Sequence, residues 1–352
     1  MRIRTIRGRI VWAIVLVGCI PLLIGLGLAY VSGMQSLRDV IGGNLQAIAV
    51  QVADRVTMLI QAEVQSVRLL GSAPLRVRQP VEAANRAYPL DYDRAQRLLA
   101  VRMQMWEEGG EGAERLLDAE LSRFLLDTKV RGGDKVVGLL IVDQYGGLVA
   151  ASSEPDHFFF GDEPWWNALH AGNGDQAHIT SLIPEHEGSF RSPEETIDIA
   201  VPILDERQHV VIGAVKASYR FGTLLAMIKE IHIGQTGHAM LFDAAGNPLV
   251  CPILPRLAHR IPGQLMAMVV SSEPGWGIAE DDGHGATETV VGYAPVSKLT
   301  LPENPWHVFV RQQPAESYAP IHDQLRNLAI IGLVMVGLLW AISRYVATRI
   351  AR

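Results

Sequence analysis

Thr196-Ile197-Asp198-Ile199-Ala200-Val201-Pro202 and Val211-Ile212-Gly213-Ala214-Val215-Lys216-Ala217-Ser218 are two short runs that alternate in character from one residue to the next. In an extended strand successive side chains point to opposite faces. Asp198 and Ala200 therefore share one face, and Ala214, Lys216 and Ser218 share one face of the partner run. The other faces carry Ile197, Ile199 and Val201, or Val211, Val215 and Ala217, which suit a core. Just upstream, Asp162-Glu163-Pro164-Trp165-Trp166-Asn167-Ala168-Leu169 offers a bulky loop able to cover the small, polar front. A sheet with an oily back, a polar front and an aromatic cover describes a concave ligand pocket.

Moving outward, Val136–Val142 is strand-like, Asp143-Gln144-Tyr145-Gly146-Gly147 is turn chemistry, and Leu148–Ala151 is a second strand. This hairpin returns about a hundred residues on. Val142-Asp143-x-x-Gly146-x-Leu148-Val149 is echoed by Phe242-Asp243-x-x-Gly246-Asn247-Pro248-Leu249-Val250. Ile199-Ala200-Val201-Pro202 and the strand after it are echoed by Gly292-Tyr293-Ala294-Pro295-Val296 and Trp306-His307-Val308-Phe309-Val310. The middle of the chain therefore reads as two similar small α/β units in tandem, joined by Ile233-Gly234-Gln235-Thr236-Gly237. Met266, Met268, Val269 and Val270 read as core of the second unit.

Helical patterns precede the first unit. From Met34 to Leu70, apolar residues at Leu37, Ile41, Leu45, Ile48, Val52, Val56, Leu59, Val64, Val67 and Leu70 form one stripe. Gly42-Gly43 weakens it, and Ser72-Ala73-Pro74 ends it. The upper part of the stripe is expected on its own domain and the lower part in a dimer stalk. Asp91–Glu107 and Glu111–Thr128 read as two further helices, packing through Leu98, Leu99, Val101, Met105, Leu116, Leu117, Leu121, Leu125 and Leu126.

With 49% apolar and 19% charged residues, the 352-residue chain is greasier than an ordinary soluble protein and too polar for a bundle of spans. Two runs account for this: 10–31 and 328–346, each about long enough to cross a bilayer. The first is longer than a signal-peptide core, and Leu28–Gly33 offers no small-x-small cleavage site. Arg2, Arg4, Arg7 and Arg9 precede the first run; Arg344, Arg349 and Arg352 close the second. Residues 1–9 and 347–352 are thus expected in the cytoplasm, and 32–327 outside it, as in a two-pass protein of a bacterial inner membrane. The net charge of −6 disfavours nucleic acid as a partner. Cys19 lies within the first run and Cys251 in the outer part, so a disulfide between them is implausible, and no metal-type Cys/His spacing occurs.

Taken in order, the flanking spans, the long helix, the Asp162–Trp166 loop, Ile199-Ala200-Val201-Pro202-Ile203, Val211–Lys216, Ile233–Gly237 and the tandem repeat resemble the double Cache (dCache) extracytoplasmic sensors. These belong to bacterial chemoreceptors, sensor histidine kinases and related signalling proteins. The resemblance implies an α+β (α/β) fold: a long helix at 34–70 carrying a membrane-distal PAS-like unit at about 71–229 and a proximal one at about 230–313. It also implies a homodimer and a cytoplasmic signalling partner. Residues 347–352 stand where relatives begin a HAMP-like connector, so the output of chemotaxis or histidine kinase type would lie outside this sequence.

A subset of the family binds amino acids or amines through a Tyr, an Arg-x-Trp-Tyr-x-Asp loop and a later strand Asp. Aligned on Pro164-Trp165, this chain has Phe158 for the Tyr, Glu163 for the Arg, Trp165 and Trp166 for the aromatic pair, Ala168 for the loop Asp and Ser218 for the strand Asp. Loss of the carboxylate-binding Arg and of both acids argues against an α-amino acid and leaves an organic acid as a candidate. The candidate ligand residues are Phe158, Trp165, Trp166, Asp198, Lys216 and Ser218.

Each also has a structural explanation. Trp165 and Trp166 can be core or cover packing. Asp198 and Lys216 can simply pair with each other, or Lys216 can take a ligand carboxylate while Asp198 takes a donor. Ser218 and Tyr219 suit a strand end at the surface as well as a pocket. His157, His170, His178 and His186 match no ligand-pair spacing, and Glu185-His186-Glu187-Gly188 with Pro193-Glu194-Glu195 reads as an exposed acidic loop. No nucleophile and base constellation marks an enzyme, and no cofactor or metal is expected. Tyr293, Trp276, Trp306 and His307 of the second unit carry no ligand assignment. The function expected is a transmembrane sensor of a small extracytoplasmic ligand. The alternative is a membrane-anchored interaction protein with no such ligand.

Overall fold

The structure, a computed structural model, describes residues 6–89, 91–108, 111–171, 176–183, 188–190, 192–205, 210–253, 261, 263–269, 272–279, 289–296 and 305–350. The chain opens on one uninterrupted helix, α1, Ile6–Gly71. A π-helical turn at Pro74–Arg78 leads into α2 (Gln79–Arg86), α3 (Tyr92–Glu107), α4 (Glu111–Leu117) and α5 (Glu120–Gly132). The first sheet unit follows: β1 (Val136–Asp143), β2 (Leu148–Ala151), α6 (Pro164–Ala171), β3 (His178–Ile183), β4 (Thr196–Leu204) and β5 (Val211–Arg220). Short helices α7 (Phe221–Leu224) and α8 (Ala226–Lys229) connect it to β6 (His232–Ile233), β7 (Gly237–Phe242), β8 (Pro248–Val250), α9 (Gly263–Val269), β9 (Gly275–Ala279), β10 (Thr289–Pro295) and β11 (His307–Arg311). The small helix α10 (Pro314–Ser317) and the long α11 (Ala319–Ile350) end the chain.

The first sheet has the order β2-β1-β5-β4-β3, and the second repeats it as β8-β7-β11-β10-β9, with β6 added beside β7. The echoed turns are built alike. Asp143 Oδ1 accepts from the amides of Tyr145 and Gly147 at 2.9 and 3.0 Å, and Asp243 Oδ1 accepts from Ala245 and Asn247 at 2.9 and 2.8 Å. Gly146 and Gly246 take φ of 83° and 80°, a left-handed conformation that glycine adopts without strain. Their carbonyls receive the amides of Phe160 and Ile261. The tandem repeat is thus a repeat of hydrogen bonding as well as of sequence.

Both sheets turn their apolar backs to α1. Leu45, Ala49, Val52, Val56, Ile60 and Val67 of the helix share one core with Ile197, Ile199, Val201, Val215 and Ala217 of the first sheet and Val290, Ala294, Val308 and Val310 of the second. Each fully buried aliphatic side chain contributes about 1.5–3 kcal/mol of transfer free energy. Leu37, Ile41 and Ile48, lower on the stripe, are partly buried against the same core. Two glycines permit the approach: a Cβ on Gly42 would run into the Trp276 ring, and one on Gly292 into the backbone of Leu45 and Gln46.

Gly292→Ala is therefore expected to lower stability by the roughly 1–3 kcal/mol typical of overpacking. Gly43, which faces open space, is the control. Gly43→Ala should be neutral or stabilising by up to ~1 kcal/mol, since glycine weakens a helix interior. Thermal unfolding followed by circular dichroism separates the two, and equal melting points would contradict the close contact.

Two helical expectations are corrected, while α1 ends at Gly71 as Ser72-Ala73-Pro74 leads one to expect. Glu111–Thr128 is two helices, because Ala119 turns extended (ψ 152°) and Ser122 Oγ donates to the Leu116 carbonyl across the break. Val101, Met105 and Leu126 are exposed rather than packed. The chain past Pro74 stays helical into α2, whose Asn85 donates to the Ile212 carbonyl at 2.7 Å and accepts from the Gln144 amide at 3.0 Å. Met266 and Met268 pack against the second front core, while Val270 lies outside the described residues. Tyr219 is buried, not a surface strand end. Stretches of α1 and α11 are long and apolar enough to cross a membrane by length and composition. The two helices lie side by side there, with Leu339 against Gly18 and Leu26 against Gly332.

Candidate functional site

The front of the first sheet is floored by β1, β5 and β4 in antiparallel register, with Ser218 between Gly138 and Asp198 and Lys216 between Leu140 and Ala200. The alternation expected from sequence sets this face. Pro164 starts α6, which lays Trp165, Trp166 and Leu169 over the floor, all buried. Phe158, Phe160, Phe190, Trp106 and Leu99 close the remainder as a second core. The two indoles meet edge to face at 5.8 Å, and Phe160 stands 6.2 Å from Trp165. Gly138 leaves room for the Phe190 ring, which a Cβ would approach to 2.5 Å.

Under this cover lies a charged cluster. Lys216, 2% exposed, holds its Nζ 2.7 Å from Oδ2 of Asp198, itself 1% exposed, and donates to Ser189 Oγ at 2.7 Å. Nζ also stands 3.9 Å from Glu163 Oε2 and 5.0 Å from the centre of the Trp165 ring, a cation–π arrangement. Glu163 accepts from the Trp165 indole at 2.8 Å and meets His157 Nε2 at 2.8 Å. Burial works to raise the Glu163 carboxyl, but the hydrogen bond from His157 and the Lys216 charge outweigh it and hold it below the usual range. The Ser218 hydroxyl and Asp198 Oδ1 have no hydrogen-bond partner among the described residues, while Oδ2 is paired with the Lys216 ammonium. Buried polar atoms are rarely left so, because each unmade bond costs about 1–3 kcal/mol.

Two clefts flank the cover and share Glu107 and Asp156. One, of about 480 Å³, is lined by Met103, His157, Phe158, Asp162 and Glu163 among others; the second, of about 490 Å³, by Trp106, Lys129, Glu154 and Phe190. Trp165, Trp166, Asp198, Lys216 and Ser218 are thus brought together, and Phe158 stands at the mouth. Lys216 is not a free cation, so a ligand carboxylate would have to displace Asp198 or Glu163. Ser189 and Phe190 escaped the sequence reading, since they lie in a loop without periodicity. So did the buried bond from the Tyr88 hydroxyl to Asp143 Oδ2 at 2.8 Å, which joins α2's end to the first turn. Burial raises the Asp143 carboxyl above its usual range. His170 Nδ1 lies 3.0 Å from the Trp166 carbonyl, His178 sits on β3, and His186, with Glu185 and Glu187, falls outside the described residues. No His, Cys, Asp and Glu grouping among the described residues is placed to hold a metal.

The second sheet has no such cluster at the equivalent places. Matching registers put Phe309 where the first unit has Lys216, Val291 for Asp198 and Arg311 for Ser218. Met240, Phe242, Ile261 and Leu265 fill that front.

Residues 33–321 match the family described as Cache domain, of the double type, and the chain belongs to that family. The fold and family define a ligand-binding sensor domain of signal-transduction proteins. Among curated relatives, the methyl-accepting chemotaxis protein McpA of Pseudomonas putida is 26% identical over 176 residues, 49% of this chain and 25% of that protein. The chain therefore matches about a quarter of that relative's length. Solved structures include the ligand-binding domain of the Pseudomonas fluorescens chemoreceptor CtaA with L-isoleucine, 14% identical with a TM-score of 0.48, covering 81% of this chain and 97% of that one. Another is the Pseudomonas aeruginosa PAO1 amino acid chemoreceptor PctC with GABA, 14% identical with a TM-score of 0.47, covering 78% and 100%. Those ligands are properties of those proteins.

Proposed function

We propose that this protein is a transmembrane sensor that binds a small extracytoplasmic molecule on the front of the first sheet and relays the event to a cytoplasmic output outside this sequence. The observation that carries this is the buried Asp198–Lys216–Ser218 cluster, with unsatisfied oxygens, beneath an aromatic cover and between two clefts. The second unit, same fold and same register, carries the apolar Phe309 and Val291 where the first has Lys216 and Asp198. An ammonium already held by a carboxylate leaves acceptors as the open positions. The ligand therefore offers N–H or O–H donors to Asp198 and Ser218 and a flat or apolar body to Trp165, while an organic acid would meet Asp198 and Glu163 as like charges.

In this reading the apolar stretches of α1 and α11 are the anchors, and the basic residues beside them support a cytoplasmic location for both ends. Two copies would pair along the outward face of α1, where Met58 and Leu69 are exposed. Ligand contacts must favour one packing of cover and sheet over another, since equal affinity for both shifts nothing.

A thermal-shift screen of residues 33–327 against amines, nucleobases, amino acids, carboxylates and sugars tests this. A ligand at a hundred times its dissociation constant adds about 2.7 kcal/mol. Donor-rich compounds are expected to raise the melting temperature, and Ser218→Ala or Trp165→Ala to remove the effect. A panel without any shift would favour an anchored interaction protein. A shift untouched by either substitution would move the site elsewhere.

A further inference from the structure

The turn that joins the two units does more than connect them. Gly234, with φ of 61°, bends the chain after β6 so that the amides of Gln235 and Thr236 point the same way. Both point at one carboxylate, that of Glu316 in α10. Gln235 N donates to Oε1 at 2.8 Å, and Thr236 donates to Oε2 through its amide at 2.9 Å and through its hydroxyl. The same hydroxyl oxygen accepts from the Gln313 amide at 3.2 Å, so the residue just before α10 is tied to the turn as well. A carboxylate is the side chain that fits: acceptor-only, with two oxygens for two convergent N–H groups. Glycine is the residue that fits opposite it, because a Cβ at Gly234 would occupy the space of Oε1.

The positions joined give the contact its meaning. Thr236 lies 20 positions (236 − 216) after Lys216, past the end of β5, α7, α8 and β6. α11 starts three positions (319 − 316) after Glu316. We propose that Glu316 is a latch that ties the first residues of α11 to the β6–β7 turn, where the connection from β5 enters the second sheet, so that displacement of β5 is delivered to α11 through the 234–236 turn. The hydrogen bond from the Thr236 hydroxyl holds the Glu316 carboxyl below its usual range, so the latch stays ionised at neutral pH. It stands whether or not a small molecule binds the first sheet.

The test uses the full chain in lipid nanodiscs, with Cys19→Ser and Cys251→Ser as background. Two variants open the latch from opposite sides: Glu316→Ala removes the carboxylate, and Gly234→Ala expels it. Both are expected to raise hydrogen exchange at Gln235 and Thr236 at least tenfold while β7 and β11 amides keep their protection. Both should change, at least threefold, the disulfide cross-linking rate of cysteine pairs placed at Leu26 with Gly332 and at Gly18 with Leu339. Faster exchange with unchanged cross-linking in both variants would overturn the coupling. Unchanged exchange would overturn the latch itself.

Discussion

Asp198→Val alone should cost about 3–5 kcal/mol of stability, the range found when one member of a buried ion pair is removed. The loss comes from what is left behind. Among the described residues Lys216 would keep Ser189 at 2.7 Å, Glu163 at 3.9 Å and the Trp165 ring at 5.0 Å, with its side chain 3% exposed. Lys216→Met alone should do comparable harm by leaving the Asp198 carboxylate without its cation. The double variant Asp198→Val/Lys216→Met is expected to recover most of the loss, because buried pairs replaced together by apolar residues are often neutral or stabilising. The second sheet already carries that solution, Val291 and Phe309 at the same register positions. Chemical denaturation of residues 33–327 reads all three, and a double variant as weak as the sum of the singles would show that the pair does not act as a pair. A recovered double variant that no longer answers a ligand found by thermal shift would separate the cost of the pair from its use.

The second large effect is expected at the joint between units. Trp306 is fully buried just before β11, and its ring meets Phe221, the residue after β5, edge to face at 5.8 Å. Its indole nitrogen has no hydrogen-bond partner among the described residues, so the contact is one of packing. Trp306→Ala should cost about 3–5 kcal/mol, from lost transfer free energy and an unfilled cavity. Because the lost surface lies where β5 leaves one sheet and β11 enters the other, calorimetry should also show the two sheets melting at separate temperatures. Trp306→Phe, which keeps an aromatic edge at Phe221, should cost less and preserve a single transition. Equal losses for the two variants would mean that the site tolerates no change of shape at all.

Much of this architecture was legible because its signals are local and periodic. The alternation in Thr196–Pro202 and Val211–Ser218 fixed which side chains share a face, and the register of β4 and β5 follows it. The Asp-x-x-Gly echoes told of two units, since a turn needing an acceptor at one position and φ > 0 three residues on leaves few residue choices. What stayed hidden depends on contacts distant in sequence. The break at Ala119 follows from how α4 and α5 pack, and the stripe on α1 said only that a face is buried, not by what. Ser189, Phe190 and Glu316 sit in segments without a repeating pattern, and their roles come from what the fold brings to them. The charged residues of the site were visible as candidates and their mutual pairing as one of two readings, but choosing between the two needed three-dimensional distances.

The uninterrupted course of α1 sets the electrical surroundings of that site. With residues 10–31 in a bilayer, Ile60, which packs behind the first sheet, stands 29 residues (60 − 31) beyond the apolar stretch, roughly 44 Å at 1.5 Å per residue. Screening at physiological ionic strength decays over about 8 Å. In that arrangement the floor around Asp198 and Lys216 would lie several screening lengths above the headgroups, and the ion concentrations and pH it met would be those of the bulk fluid, not of the charged layer at the membrane surface.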